Sequence, residues 1–347
     1  MTRPFKLFFF GALGLLLILK AAGAREQQQP TRTPPGRARA VFVSAVAFSR
    51  DGRWLASRRF QSGDIDVWDV TSGRLVRTLP DGGKQSGALA VSPDGKVLAS
   101  GQGTKVKLWE TTTGRQISDI NVGASELAYS PDGRWLAAAT SEGVQLWDAS
   151  TFQLSRSLSF PVGIFGSKIA FSPEGRLLAA GAKSTIKIWE TVSGREARTI
   201  TRVEPPPMPE HIVSIGGISS LCFSPDGRRV AAGGGSREVR TWDVSTGREL
   251  QQFSLNAINA DVIGFSPDGR TMVTQEVFLG REGIAPVITV WDAAGNKVGH
   301  IPVEHAMTRA VSVMPNANRV AVGSEKGVQI WDIEERKLLT TLIASGD

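Results

Sequence analysis

Three histidines, His211, His300 and His305, stand in the 347 residues, and two of them have an acidic neighbour, Glu210 and Glu304. Imidazole beside carboxylate is the pairing from which acid–base and metal chemistry is built. The spacing here argues against both. No His-Glu-x-x-His pattern occurs, and the two histidine-bearing segments lie some ninety residues apart. The single cysteine, Cys222, leaves no internal disulfide to form. A Gly-x-Ser-x-Gly elbow for a nucleophilic serine is absent. Gly233-Gly234-Gly235 lacks the following lysine of a phosphate cradle and reads as a loop between strands. A recurring Ser-Pro-Asp-Gly could be mistaken for part of a calcium loop, but one Asp per copy is far from the dense oxygen set that Ca²⁺ requires. The sequence therefore predicts no catalytic residue, no metal and no cofactor.

What would position these residues is a repeat. Trp68, Trp109, Trp147, Trp189, Trp242, Trp291 and Trp331 are each followed by an acid, at spacings of 41, 38, 42, 53, 49 and 40. Roughly twenty residues before each lies a second marker, beginning at Ser49, Ser92, Ser130, Ser172, Ser224 and Ser266. The seventh copy is degenerate, Met314-Pro315-Asn316-Ala317. Each unit reads as four strands. An apolar first strand ends at the Pro-Asp-Gly turn, where Pro presets φ and Gly supplies φ > 0. A second strand follows, then a third that alternates into the Trp, as in Val106-Lys107-Leu108-Trp109. After a Ser/Thr-Gly turn a fourth strand runs outward. Four short antiparallel strands cannot cover two apolar faces by themselves, so the units must stack. One column supports this: Ala47, Ala90, Ala128, Ala170, Cys222, Gly264 and Ser312 occupy the same first-strand position and all are small. The expected fold is all-β, a seven-bladed β-propeller of four-stranded antiparallel blades, and Cys222 takes a structural slot in it.

Over residues 41–347 these in-register markers resemble the WD-repeat family, and also the Ser-Pro-Asp-Gly-bearing propellers of bacterial envelope proteins. The resemblance implies a propeller acting as an interaction platform. It also implies a buried Asp–His–Ser/Thr–Trp hydrogen-bond network, but the Gly-His that opens such repeats is missing from nearly all copies. The matching Asp is mostly missing too, with Asp64 the nearest. The network is therefore expected not to form, leaving apolar packing to hold the blades. His305 falls near the place of a family Gly-His, which favours a packing role.

The blades are expected at about 43–79, 87–120, 123–159, 166–201, 213–254, 259–301 and 308–343, each contiguous in the chain. Whether residues 25–40 add a closing strand stays open. The two regular turns of each blade share one face, and the loops after the second and fourth strands share the other. Two insertions enlarge that other face: Thr201 to Ile212, and Val277 to Pro286. Variable loops on a rigid scaffold are where binding concentrates. The candidate contact residues are Met208, His211, Phe278, Leu279, Arg281 and Ile284, with Phe160 and Phe165 extending the patch. Aromatics beside Arg suit a protein or peptide partner. The alternatives are insertions without a role and phenylalanines tucked under their own loops.

Residues 1–24 read as a signal peptide: Arg3 and Lys6, an apolar run from Leu7 to Leu19, then Ala22-Gly23-Ala24. The run is shorter than the roughly 20 residues of a membrane span, although an uncleaved anchor is the alternative. Residues 25–40, rich in Arg, Gln, Pro and Thr, read as a flexible linker. Of the net charge of +7, the cations Arg3, Lys6 and Lys20 carry three, and the remaining +4 is scattered over turns. No basic stripe with interleaved aromatics marks a nucleic-acid binder. The sequence thus points to an exported, periplasmic or secreted, monomeric and non-enzymatic scaffold for a protein or peptide. An accessory protein resembling Tol-type translocation propellers, and a lactonase- or hydrolase-like propeller, are the competing readings.

Overall fold

The computed structural model describes residues 42–82, 87–160, 168–202, 217–234, 238–255, 257, 259–280, 283–303, 306–325 and 327–343. The expected signal peptide and linker lie outside them. Among the described residues there are twenty-eight strands, and in chain order they form antiparallel quartets. The first is β1 (Val43–Phe48), β2 (Trp54–Arg59), β3 (Ile65–Asp69) and β4 (Arg74–Leu79). The second is β5 (Leu89–Val91), β6 (Val97–Gln102), β7 (Lys105–Glu110) and β8 (Gln116–Ile120). The third is β9 (Glu126–Tyr129), β10 (Trp135–Thr140), β11 (Gly143–Asp148) and β12 (Leu154–Ser159). The fourth is β13 (Lys168–Phe171), β14 (Leu177–Ala182), β15 (Thr185–Glu190) and β16 (Glu196–Thr201). The fifth is β17 (Ile218–Phe223), β18 (Arg229–Gly234), β19 (Glu238–Asp243) and β20 (Glu249–Ser254). The sixth is β21 (Asn259–Phe265), β22 (Thr271–Gly280), β23 (Gly283–Asp292) and β24 (Lys297–Ile301). The last is β25 (Ala306–Val313), β26 (Arg319–Ser324), β27 (Gly327–Asp332) and β28 (Leu338–Leu342). A single bridge, Gly234 to Ala260, joins the fifth and sixth quartets into one sheet.

The core lies between quartets, as the stacking argument requires. Every apolar cluster but one draws on two quartets adjacent in the chain: Leu98 and Trp109 pack with Ala56 and Val67, and Trp189 with Val144 and Leu158. The series closes on itself, because Val43, Leu55 and Trp68 of the first quartet pack with Ala310, Ala321 and Ile330 of the last. Face-to-face sheets arranged in a closed ring make a β-propeller. The small first-strand column faces the next blade at its closest approach; a Cβ on Gly264 would stand 3.3 Å from Val313.

Both sequence markers prove to be turn hardware. In Ser-Pro-Asp-Gly the buried Ser accepts the first N–H of the next strand: Val97 N donates to Ser92 Oγ at 2.9 Å, and Arg229 N to Ser224 Oγ at 2.9 Å. The same hydroxyl donates to the Asp, as Ser92 does to Asp94 at 2.7 Å. The acid after each Trp holds the second turn. Asp243 Oδ1 accepts from Ser245 Oγ at 2.7 Å and Thr246 N at 2.8 Å, bonds that hold its carboxyl down at about 2. In every quartet the third-to-fourth strand pairing shifts by a bulge at the Trp, as between Leu108 and Trp109.

Part of the buried polar network is present, a Trp-to-hydroxyl bond in three blades, but among the described residues no histidine joins it, so the full Asp–His–Ser/Thr–Trp set is not assembled. Trp68 Nε1 donates to Ser57 Oγ at 2.9 Å, Trp109 Nε1 to Ser100 Oγ at 3.0 Å, and Trp291 Nε1 to Thr274 Oγ1 at 2.9 Å. At the second blade the chain of bonds continues, Ser100 Oγ donating to Asp81 Oδ1 at 3.0 Å. Asp81 comes from the segment between quartets, where the sequence offers no marker. Asp64 takes no part; Asp66 instead accepts both Arg59 Nε and Nη2 at 2.8 Å. Where the second strand carries Ala138 in place of the hydroxyl, Trp147 Nε1 is buried without a partner.

Candidate interaction surface

Consecutive antiparallel strands put both marker turns of every blade on one face, and there the blades are latched together. Arg77 Nε on β4 donates to Thr112 O in the next blade's turn at 3.2 Å, and Gln251 Nε2 on β20 donates to Ala294 O at 2.9 Å. Arg156 makes the same reach, to Thr191 O at 3.3 Å. That face spends its polar groups on itself. The opposite face carries the longer connections.

The insertion at Val277–Pro286, expected as a loop, is instead an extended hairpin. β22 and β23 are each 10 residues long, and the pairing continues through Val277↔Pro286, Phe278↔Ala285, Leu279↔Ile284 and Gly280↔Gly283. The physical reason is the run Val-Phe-Leu against Ile-Ala-Pro-Val, whose β-branched and aromatic residues suit paired strands. Leu279 and Ile284 are therefore cross-strand partners, although their side chains lie outside what the structure describes. Arg281, Met208, His211 and Phe165 also lie outside the described residues.

Two of the candidate aromatics are placed. Phe160 is a correction: it is 3% exposed, and its ring meets Trp189 edge-on at 5.7 Å, so it belongs to the core between the third and fourth blades. The ring folds inward after β12, where burying it outweighs leaving it in water. Phe278 is half-buried against the cluster containing Phe253 and Trp291. It lines a groove of about 420 Å³ with Pro286, Val287, Lys297, His300 and Val303. Sequence reasoning passes over Phe60, an aromatic just after β2 on the loop-rich face, 43% exposed. Its position directly after a second strand is the available signal.

The titratable groups are mostly committed. His300 Nδ1 lies 3.1 Å from Thr289 Oγ1. Burial lowers its pKa and Lys297 lowers it further, while Glu276 acts in the opposite direction. Glu276 is 2% exposed, with Oε1 lacking a partner. At the starts of the inner strands Lys168 Nζ contacts Glu126 Oε2 at 2.7 Å, and Ser219 Oγ donates to Asp261. Burial pushes the Cys222 thiol up to about 12, which leaves almost no thiolate at neutral pH. Among the described residues no three of His, Cys, Asp and Glu are grouped to hold a metal ion.

A family model described as "WD domain, G-beta repeat" matches the chain at residues 28–69, 73–110, 120–148, 163–190 and 208–243. Each matched segment ends on the acid that follows a repeat Trp. The chain is similar to human apoptotic protease-activating factor 1, 42% identical over 59 residues, which is 17% of this chain and 5% of that protein. The mouse protein of the same name is 41% identical over 59 residues, again 17% and 5%. The periodic tryptophan protein 2 homolog of Dictyostelium discoideum is 33% identical over 73 residues, 21% of this chain and 8% of that protein. The matched stretch thus spans less than a tenth of the length of these curated relatives.

Proposed function

Because this chain is a WD-repeat protein, we propose that it is a non-enzymatic, seven-bladed scaffold that binds a protein or peptide partner outside the cytoplasm. The observation that carries the reading is the contrast between the two faces. One is closed by latches from an outer strand to the next blade's turn, such as Arg77 to Thr112, while the other projects the hairpin of β22 and β23 with a groove beside it. A rigid ring with one decorated face is built for recognition. WD repeats generally mediate contacts between proteins, in keeping with this reading.

The groups with reactive potential support binding over catalysis. The Cys222 thiol is held protonated, and the lowered pKa of His300 comes from burial beside Thr289. Export rests on the sequence alone, on Arg3 and Lys6 before the apolar run and Ala22-Gly23-Ala24 after it.

The test is a pull-down from a cell-envelope fraction with the full chain, repeated after shortening the hairpin at Val277–Pro286 and the segment Thr201–Ile212. Loss of the captured partner is expected; unchanged capture would refute this placement of the surface. Intact mass of the exported protein checks cleavage after Ala24.

A further inference from the structure

Beyond Ile288 the strand β23 has a partner on one side only. β24 pairs with it from Ile288↔Ile301 down to Trp291↔Lys297, and the chain then leaves the strand at Pro302. Residues Gly283–Val287 pair with β22, and among the described residues no strand lies along their other edge. That leaves about 16 Å of open strand edge, at roughly 3.3 Å per residue. An unpaired edge is a row of main-chain donors and acceptors that an extended chain can satisfy.

The groove lies against this edge. Phe278, Val287, Pro286 and Val303 make its apolar part, and Lys297 and His300 line it beside them. Phe278 and Val287 stand on the same face of the sheet as His300 and Lys297, as the pairings Phe278↔Ala285, Thr289↔His300 and Trp291↔Lys297 require. Lys297 is exposed and makes no ion pair among the described residues. The facing groups are therefore the Lys297 ammonium, the His300 ring, whose pKa partial burial and then Lys297 lower, and Glu276 buried behind them. The free charge offered to a partner is positive. Pro286 gives no N–H, so a strand added here bonds the remaining main-chain groups of the edge and takes the rest of its hold from the groove.

We propose that the open edge of β23 over Gly283–Val287 takes up an extended peptide segment of a partner protein as an added strand. Its alternate apolar side chains enter the groove, and an acidic side chain meets Lys297. The inference rests on the reading of the protein as a partner-binding scaffold and names the site and the kind of segment bound.

The test uses the full chain and fluorescein-labelled decapeptides of alternating Val and Thr, ending in Glu, in Lys or in Gln, read by anisotropy. The Glu peptide is expected to bind at least tenfold tighter than the Lys peptide. Lys297→Glu, an exposed change that leaves the core untouched, is expected to reverse that order. Val287→Asp should weaken every peptide tenfold or more, with circular dichroism confirming the fold. N-methylation of alternate peptide amides should abolish binding for one set of positions and spare the other, because only one set faces β23. Equal affinities for wild type and Lys297→Glu, indifference to both N-methyl sets, or no binding by any peptide up to millimolar concentration would each overturn the proposal. Should shortening the hairpin still abolish partner capture while no peptide binds, the scaffold reading survives and edge docking alone fails.

Discussion

Arg58 Nη1 lies 2.7 Å from Asp81 Oδ2, and both side chains are wholly buried where the first blade meets the second. Asp81 also accepts from Ser100, which in turn holds the Trp109 indole, so one carboxylate ties two blades and a repeat tryptophan together. Arg58 donates a further bond to Gly63 O at 3.2 Å. Its burial lowers the guanidinium pKa, and Asp81 opposes that shift.

Removing Asp81 leaves a buried cation with no counter-charge. Asp81→Ala is expected to destabilise by about 3–5 kcal/mol. The double variant Arg58→Met/Asp81→Leu should recover most of that loss, because a buried ion pair contributes little net stability over well-packed apolar groups. Urea unfolding followed by tryptophan fluorescence measures both. A double variant no better than Asp81→Ala would show that the pair itself, and not its disruption, sets the stability.

The blades also differ in a way that can be repaired. Ser57, Ser100 and Thr274 accept from the tryptophan two residues beyond their cross-strand partners. Ala138 occupies the same register in the third blade, and Trp147 Nε1 goes without an acceptor. Ala138→Ser is expected to stabilise by about 1 kcal/mol, the usual net gain of a buried hydrogen bond. Thermal melting gives the answer. A lowered melting temperature would mean the third blade has no room for the hydroxyl that the first two accommodate.

Legibility in the amino-acid sequence tracks the range of each interaction. Trp-acid pairs and Ser-Pro-Asp-Gly markers report on turns, and turns are local, so the strand order can be read directly. Asp81 cannot be found that way. It lies in a connecting segment, and its importance comes from Arg58 and Ser100, residues 23 and 19 positions away, brought to it only by stacking. The hairpin of β22 and β23 reads as a loop because its length breaks the repeat spacing, although its Val, Phe and Ile favour strand. Phe160 follows β12 just as an exposed loop residue would, and only the neighbouring Trp189 decides that it is buried.

The latch between outer strand and turn depends on glycine. Gly114 has φ +74, and a Cβ placed there would stand 2.3 Å from Arg77 Cδ. Gly114→Ala is expected to cost more than about 1 kcal/mol, from the left-handed backbone and the displaced arginine together. Arg77→Ala in the same chain should return part of that cost, since the clash goes while the backbone strain stays. Chemical denaturation of the two single variants and the double separates the terms. Strictly additive losses would deny the contact.

Cys222 contributes to the alkaline pH dependence, beside Tyr129, whose phenol burial also pushes up. Burial raises its pKa from 9.0 to about 12, so between those values the unfolded chain gives up a proton that the folded chain keeps. The contribution is intact below pH 9 and is lost as pH rises towards 12, because there the unfolded state binds fewer protons and stability must fall. The slope from this group is roughly 1 kcal/mol per pH unit. Cys222→Ala should remove part of that limb, leaving the Tyr129 share, with the curve below pH 9 parallel to wild type. The same shift predicts slow alkylation by iodoacetamide at pH 8 in the folded protein and rapid alkylation in urea. Equal rates in both would mean that the partly buried thiol ionises as freely inside the propeller as in the unfolded chain.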